Sequence, residues 1–123
     1  MQNNDSFLVF KSEVEGFMAR LIQSLQKVAK MHFTRTSAPQ NLMSFSVQNS
    51  SMDLQLRFVV IGQGNDMTLG RLSWLDQRGY DHVCCYVNDD FKCMKRTGNG
   101  VWCEQNKRVD EACTHRLLAI KAA

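Results

Sequence analysis

With 123 residues, 44% of them hydrophobic and 22% charged, the chain has the size of one domain and the composition of a globular protein with a real core. One proline and seven glycines argue against long disordered tracts, and no run of about 18 apolar residues is present to form a transmembrane helix. The formal charge of +3 is unevenly spread: residues 1–35 carry five basic and three acidic groups, residues 36–91 three and six, and residues 92–123 seven and three.

The basic end holds Lys92, Lys95, Arg96, Lys107, Arg108, Arg116 and Lys121. A polyanion partner fits such a bias, although a solvated surface is the plainer reading of so small an excess. The N-terminus, Met1 to Asp5, lacks a basic signal-peptide region, and Phe7 to Phe10 is too short for its apolar core. The chain is therefore expected in the cytoplasm, with its five cysteines (Cys84, Cys85, Cys93, Cys103 and Cys113) reduced and used as small core residues.

The first element is an amphipathic helix. Phe7, Phe10, Val14, Phe17, Leu21, Leu25, Val28 and His32 recur at spacings of three and four, and Met18, Ile22 and Ala29 widen the stripe. So broad a stripe packs on something flat, for which a sheet is the natural partner. Asp5 or Ser6 is a candidate cap. Ser12 and Glu15 have capping-box spacing, which would leave Phe7 to Phe10 as a short strand; the phase of Phe7 and Phe10 favours the longer helix. His32 is expected to be packed on this stripe.

Residues 34–40 read as a linker broken by Pro39. Period-two patterning then begins. Met43, Phe45 and Val47 alternate with serines, and a turn is expected over residues 48–51. Leu54, Leu56, Phe58 and Val60 make the cleanest strand, followed by a loop over residues 62–66. Met67 to Leu75 is a third strand, with Gly70 a candidate bulge. Turns at Asp76 to Gly79, Asn88 to Asp90 and Thr97 to Gly100 separate three more, over residues 80–87, 91–96 and 101–105. Lys107 to Lys121 reads as a closing helix with Val109, Ala112, Cys113, Leu117 and Ile120 inward, and Asp110 and Glu111 in its first turn.

The predicted fold is thus a single α+β domain over residues 1–123. An N-terminal amphipathic helix precedes an antiparallel meander of about six strands, and a C-terminal helix follows. The sheet is either open and twisted or curled strongly enough to enclose a pocket.

No pattern carries catalysis. The cysteines are separated by one, eight, ten and ten residues, not by the paired spacing of a zinc site, and no metal or other cofactor is expected. A two-residue turn after Val87 would set Cys84 opposite Cys93 and permit a cross-strand disulfide. His82 and Cys84 share a strand face at a spacing of two, but a nucleophile pair needs more than proximity. Gly62-Gln63-Gly64 lacks the rest of a phosphate loop. An enzyme is therefore not favoured.

Binding is favoured instead. Residues 83–87 are apolar on both faces, and two helices cover only one face of a sheet. The expected function is a small non-catalytic binding or adaptor protein of accessory or inhibitor type, acting through a sheet surface or as a homodimer, with Tyr86, Phe91, Lys95, Arg96 and Trp102 as its contact residues. Immunity proteins, secretion chaperones and phage-encoded inhibitors are built of similar parts; this is an analogy of architecture, as no motif of theirs is present. One alternative is a carrier holding a small hydrophobic ligand between curved sheet and long helix, lined by Met18, Met43, Met67 and Met94. Another is nucleic-acid binding by the basic C-terminal third. Denatured protein purified under non-oxidising conditions is expected to titrate five free thiols; a count of three would mean that one disulfide had formed.

Overall fold

A computed structural model of the chain describes residues 2–28, 32–35, 44–49, 53–64 and 67–122, and within them the side chains of 13–27, 32–33, 53–61 and 69–122. The elements run α1 (Gln2–Val28), β1 (Phe33–Arg35), β2 (Ser44–Asn49), β3 (Leu54–Gly64), β4 (Met67–Leu75), β5 (Asp81–Val87), β6 (Cys93–Arg96), β7 (Trp102–Glu104) and α2 (Val109–Ala122). The strands lie side by side in chain order, each antiparallel to the next. The order begins at β1 and ends at β7 without closing on itself, so this is an open α+β sheet and not a barrel. No helix among the described residues is long and apolar enough to cross a membrane.

The predicted architecture holds, with seven strands among the described residues in place of about six. The added strand is β1, which pairs with Val47 to Asn49 inside the segment read as a linker and turn. Gln48 and Asn49 also pair with Gln55 and Leu54, so ladders on both sides hold these polar residues in β2. Residues 62–64 continue β3 against Met67 to Leu69, where a loop is expected from their glycines. The long first helix expected in place of a strand at Phe7 to Phe10 is present, but α1 already starts at Gln2, so neither capping placement is used. Because α1 ends at Val28, His32 leaves the stripe and is exposed.

One core joins the layers. Val14, Phe17, Met18, Leu21 and Leu25 of α1 meet Leu54, Leu56, Phe58 and Val60 of β3, Leu72 and Trp74 of β4, and Cys85 and Val87 of β5. Ala112, Cys113 and Leu117 of α2 complete it. Each large side chain fully removed from water adds roughly 1.5–3 kcal/mol. Trp74, on the middle strand, is fully buried, and its indole Nε1 donates to the Cys113 carbonyl at 3.0 Å, fixing α2 over the sheet. Ser24 of α1 donates to Asp110 at 2.6 Å, joining the two helices.

Gly70 is not itself the bulge. The register shift lies on the partner strand, between Val60 and Gly62, with Ile61 as the extra residue. Glycine is required at 70 because a Cβ there would land on the Phe58 ring. Gly70→Ala is expected to lower stability by about 1–3 kcal/mol through displacement of that ring, measured by chemical denaturation; an unchanged midpoint would mean that Phe58 has room to move.

Candidate functional site

The register assigns side chains to two faces. Leu72 and Trp74 face the helices, so Arg71, Ser73 and Leu75 face away. Across from them on β5 stand Tyr86, Val83 and Asp81, and beyond Tyr86 come Met94 and Glu104. On this open face the Arg71 guanidinium lies 3.1 Å from Asp81, and Ser73 donates its hydroxyl to the same carboxylate. Tyr86 and Trp102 meet with ring centroids 5.1 Å apart, and Met94 beside them is buried although it does not belong to the core under the helices.

The five residues predicted to make contacts are therefore divided. Tyr86, Arg96 and Trp102 share the open face. Lys95 pairs with Cys103 and belongs to the other face. Phe91 is not in a strand at all. It lies in the turn before β6, with its ring stacked on Phe17 at 4.6 Å.

Three hairpins share one turn design, a type I turn followed by a residue at its end that closes the hairpin. Asp76 N donates to Tyr80 O and Gly79 N to Asp76 O; Asn88 N donates to Lys92 O and Phe91 N to Asn88 O; Thr97 N donates to Val101 O and Gly100 N to Thr97 O. Each first residue also accepts from the turn backbone: Asp76 from Arg78 and Tyr80, Asn88 from Asp90 and Lys92, Thr97 from Val101. The closing residue has positive φ: 88° at Gly79, 81° at Gly100 and 59° at Phe91. A side chain in that conformation costs roughly 1–2 kcal/mol. The stack on Phe17 offsets it and turns Phe91 toward the helices, which is why the strand read from residue 91 begins at Cys93.

This longer turn also changes the cysteine register. Cys93 pairs with Val87, so Cys84 is not opposite it. A bulge on β5 sets Cys85 against Leu72 and leaves Cys84 as the extra residue. His82 and Cys84 do share the helix-covered side, but the His82 Nε2 is hydrogen-bonded to the Asp76 carboxylate at 2.9 Å and not to the thiol. Bonding to His82, helped by the turn amides, holds the Asp76 carboxyl below its ordinary pKa.

Phe91 borders a groove of about 670 Å³ that the sequence reading missed. Phe17, Arg20, Leu21 and Ser24 of α1 form one wall, the turn through Phe91 and Lys92 a second, and residues 104–111 the third, with Cys93 between them. Among the described residues, Arg20, Lys92 and Lys107 form no ion pair, whereas Arg108 is held by Asp110 at 2.6 Å. Partial burial pushes the Asp110 carboxyl up, but Ser24, Arg108 and the Glu111 amide outweigh it and hold the pKa below the ordinary value. The stabilisation from Asp110 is thus complete above an unfolded pKa of about 3.9 and is lost as pH falls through the lower folded value.

The basic C-terminal third does not form one patch. Lys92, Lys107 and Arg108 line the groove, Lys95 and Arg96 belong to opposite faces, and Arg116 donates to the Val83 carbonyl at 2.8 Å. No disulfide joins the cysteines, and among the described residues no group of three or more His, Cys, Asp or Glu is placed to hold a metal ion. The signal for the groove was available in part: the turn sequences align, and a phenylalanine stands where the other two have glycine.

Phe91→Ala is expected to destabilise by about 2 kcal/mol, since it loses the stack and keeps the strain. Phe91→Gly, which relieves the strain, is expected to be the milder change by about 1 kcal/mol. Equal losses in denaturant titrations would show that the backbone at 91 is unstrained. Comparison with protein-family models, curated proteins and solved structures finds no match to this chain.

Proposed function

We propose that this chain works by binding, through the open face of its sheet, and that the occupant is a second copy of itself. The observation that carries the reading is the Tyr86–Trp102 ring pair, in contact on a face that neither α1 nor α2 covers. Aromatic side chains of this kind anchor protein interfaces because they bury much area at little entropic cost.

The charges on the face suit self-association better than a polyanion. Arg57, Arg71 and Arg96 share it with Asp81 and Glu104, and Arg71 is engaged by Asp81. A two-fold pairing sets the same patch against itself, so a face carrying both signs can meet its own complement. A nucleic-acid platform would call for unpaired cations around the rings, and here both signs are present.

The carrier reading has one observation in its favour. Between α1 and the middle of the sheet the space is filled by core side chains, but the groove beside α1 has an apolar wall of Phe17, Leu21, Phe91 and Val109. A ligand of drug-like size fits a volume of this order.

Sedimentation and native mass spectrometry test self-association. The unaltered chain is expected to populate a dimer, and Trp102→Ser to weaken it by about tenfold or more at a stability cost of only about 1 kcal/mol. An unaltered chain that stays monomeric at every accessible concentration would overturn the reading. So would a Trp102→Ser dimer of undiminished affinity.

A further inference from the structure

Four of the five cysteines converge beneath α2, although they come from three elements. His82 is opposite Trp74 on the helix-covered side, so Cys84, two residues on, shares that side, and the bulge returns Cys85 to it opposite Leu72. Cys93 follows on β6, opposite the core residue Val87, and Cys113 comes down from α2. The thiols meet in pairs, Cys84 with Cys113 and Cys85 with Cys93, not about a common centre. The first pair is closed into the core by α2. Of the second, Cys93 lines the groove.

The groove supplies what a core pair lacks. Arg20, Lys92 and Lys107 stand around it without carboxylate partners among the described residues. Of its acids, Asp110 is engaged by Ser24 and Arg108, Glu111 is exposed at the rim, and the strand register turns the Glu104 side chain to the open face. Phe91, in its strained conformation, forms the lip, and strained backbone gathers where a ligand is handled. We propose that Cys93 and Cys85 are a dithiol that exchanges with small anionic disulfides entering this groove, Cys93 attacking and Cys85 resolving.

The chemistry balances in two exchanges. The Cys93 thiolate attacks one sulfur of R–S–S–R; a protein–SR bond forms, the small S–S bond breaks and one thiolate leaves. Cys85 then gives up its proton and attacks the Cys93 sulfur, expelling the second thiolate. The two protein thiols lose two electrons to become one disulfide, the small disulfide gains them, and the two protons pass to the departing thiolates.

Contact with Cys85, aided by the Lys107 ammonium, draws the Cys93 pKa below the ordinary thiol value against the opposing effect of burial. The same contact together with burial pushes Cys85 up, so it keeps its proton until the second step. Reach is also adequate. Cys85 is the diagonal neighbour of Cys93, about 7–8 Å away between Cα atoms, and a disulfide spans up to about 6.8 Å. The difference of roughly 1 Å falls on β6, a four-residue strand held to β5 only at Tyr86–Met94 and Val87–Cys93. Opening so short a strand also uncovers the Cys93 sulfur, which is 1% exposed at rest.

The test is incubation of the reduced, folded chain with oxidised glutathione, followed by acid quenching, alkylation and peptide mass mapping. Chains two hydrogens lighter with Cys85 linked to Cys93 are expected, unchanged in Cys103→Ser. In Cys85→Ser, one glutathione should remain on Cys93. Glutathione confined to the exposed Cys103, a link between any other pair, or Cys85 and Cys93 free until the chain is denatured would each overturn the proposal. The unaltered chain carries the test, so it does not depend on any variant folding, and a monomeric chain gives the same readout.

Discussion

The indole of Trp74 sets the arrangement of the two layers. It is fully buried on the middle strand, and a buried N–H left unpaired costs about 1–3 kcal/mol. Its partner is the Cys113 carbonyl, in the interior of α2. That bond places α2 over β4 and β5, with α1 packed beside it. The groove is the seam that remains between α1, the turn before β6 and the segment leading into α2. Ser24 and Asp110 hold the seam at one end, and the Phe17–Phe91 stack holds it at the other.

The β5 bulge belongs to the same arrangement. An extra residue in a strand leaves part of the ladder unpaired, and here Arg116 of α2 donates to the Val83 carbonyl next to it. The bulge turns both Cys84 and Cys85 toward the helices, where strict alternation would send one of them to the open face. A thiol cluster between sheet and helix follows from that single insertion. The repeated turn design has a comparable consequence. Two of the three turns end on glycine, and the third accepts the cost of Phe91 at positive φ because the ring finds Phe17.

Two surfaces emerge with different physical characters. The open face is broad, mixed in charge and centred on two rings, as suits another protein surface. The groove is rimmed by cations that form no ion pair among the described residues and is backed by a thiol, as suits a small anionic molecule. They use opposite sides of β6: Met94 faces one and Cys93 the other. Occupation of either surface therefore bears on the same short strand.

Much of the fold was legible in local pattern. The three-and-four spacing of Val14, Phe17, Leu21 and Leu25 determined a helix with one buried face, and the alternation from Leu54 to Val60 determined a strand with one buried face. Period alone decides these, because it decides which side chains leave water together. Asp76, Asn88 and Thr97 with the residues after them determined the three turns, through local hydrogen bonds that need no tertiary partner. Of the candidate site, Tyr86, Arg96 and Trp102 were legible as a group, since strand parity and a hairpin place them on one face. What pattern could not supply was anything depending on an added residue or on a partner distant in the chain. The bulge at Cys84 shifts parity without a local mark. Phe91 leaves the strand only because Phe17 is there to receive it. Strand β1 exists only because Val47 to Asn49 offer it an edge. The meeting of Cys85 and Cys93, and of Arg20 with Lys92 and Lys107, comes from elements that touch only after the sheet has met both helices. Tertiary structure alone decided those contacts, because sequence separation carries no information about which unpaired faces will pack.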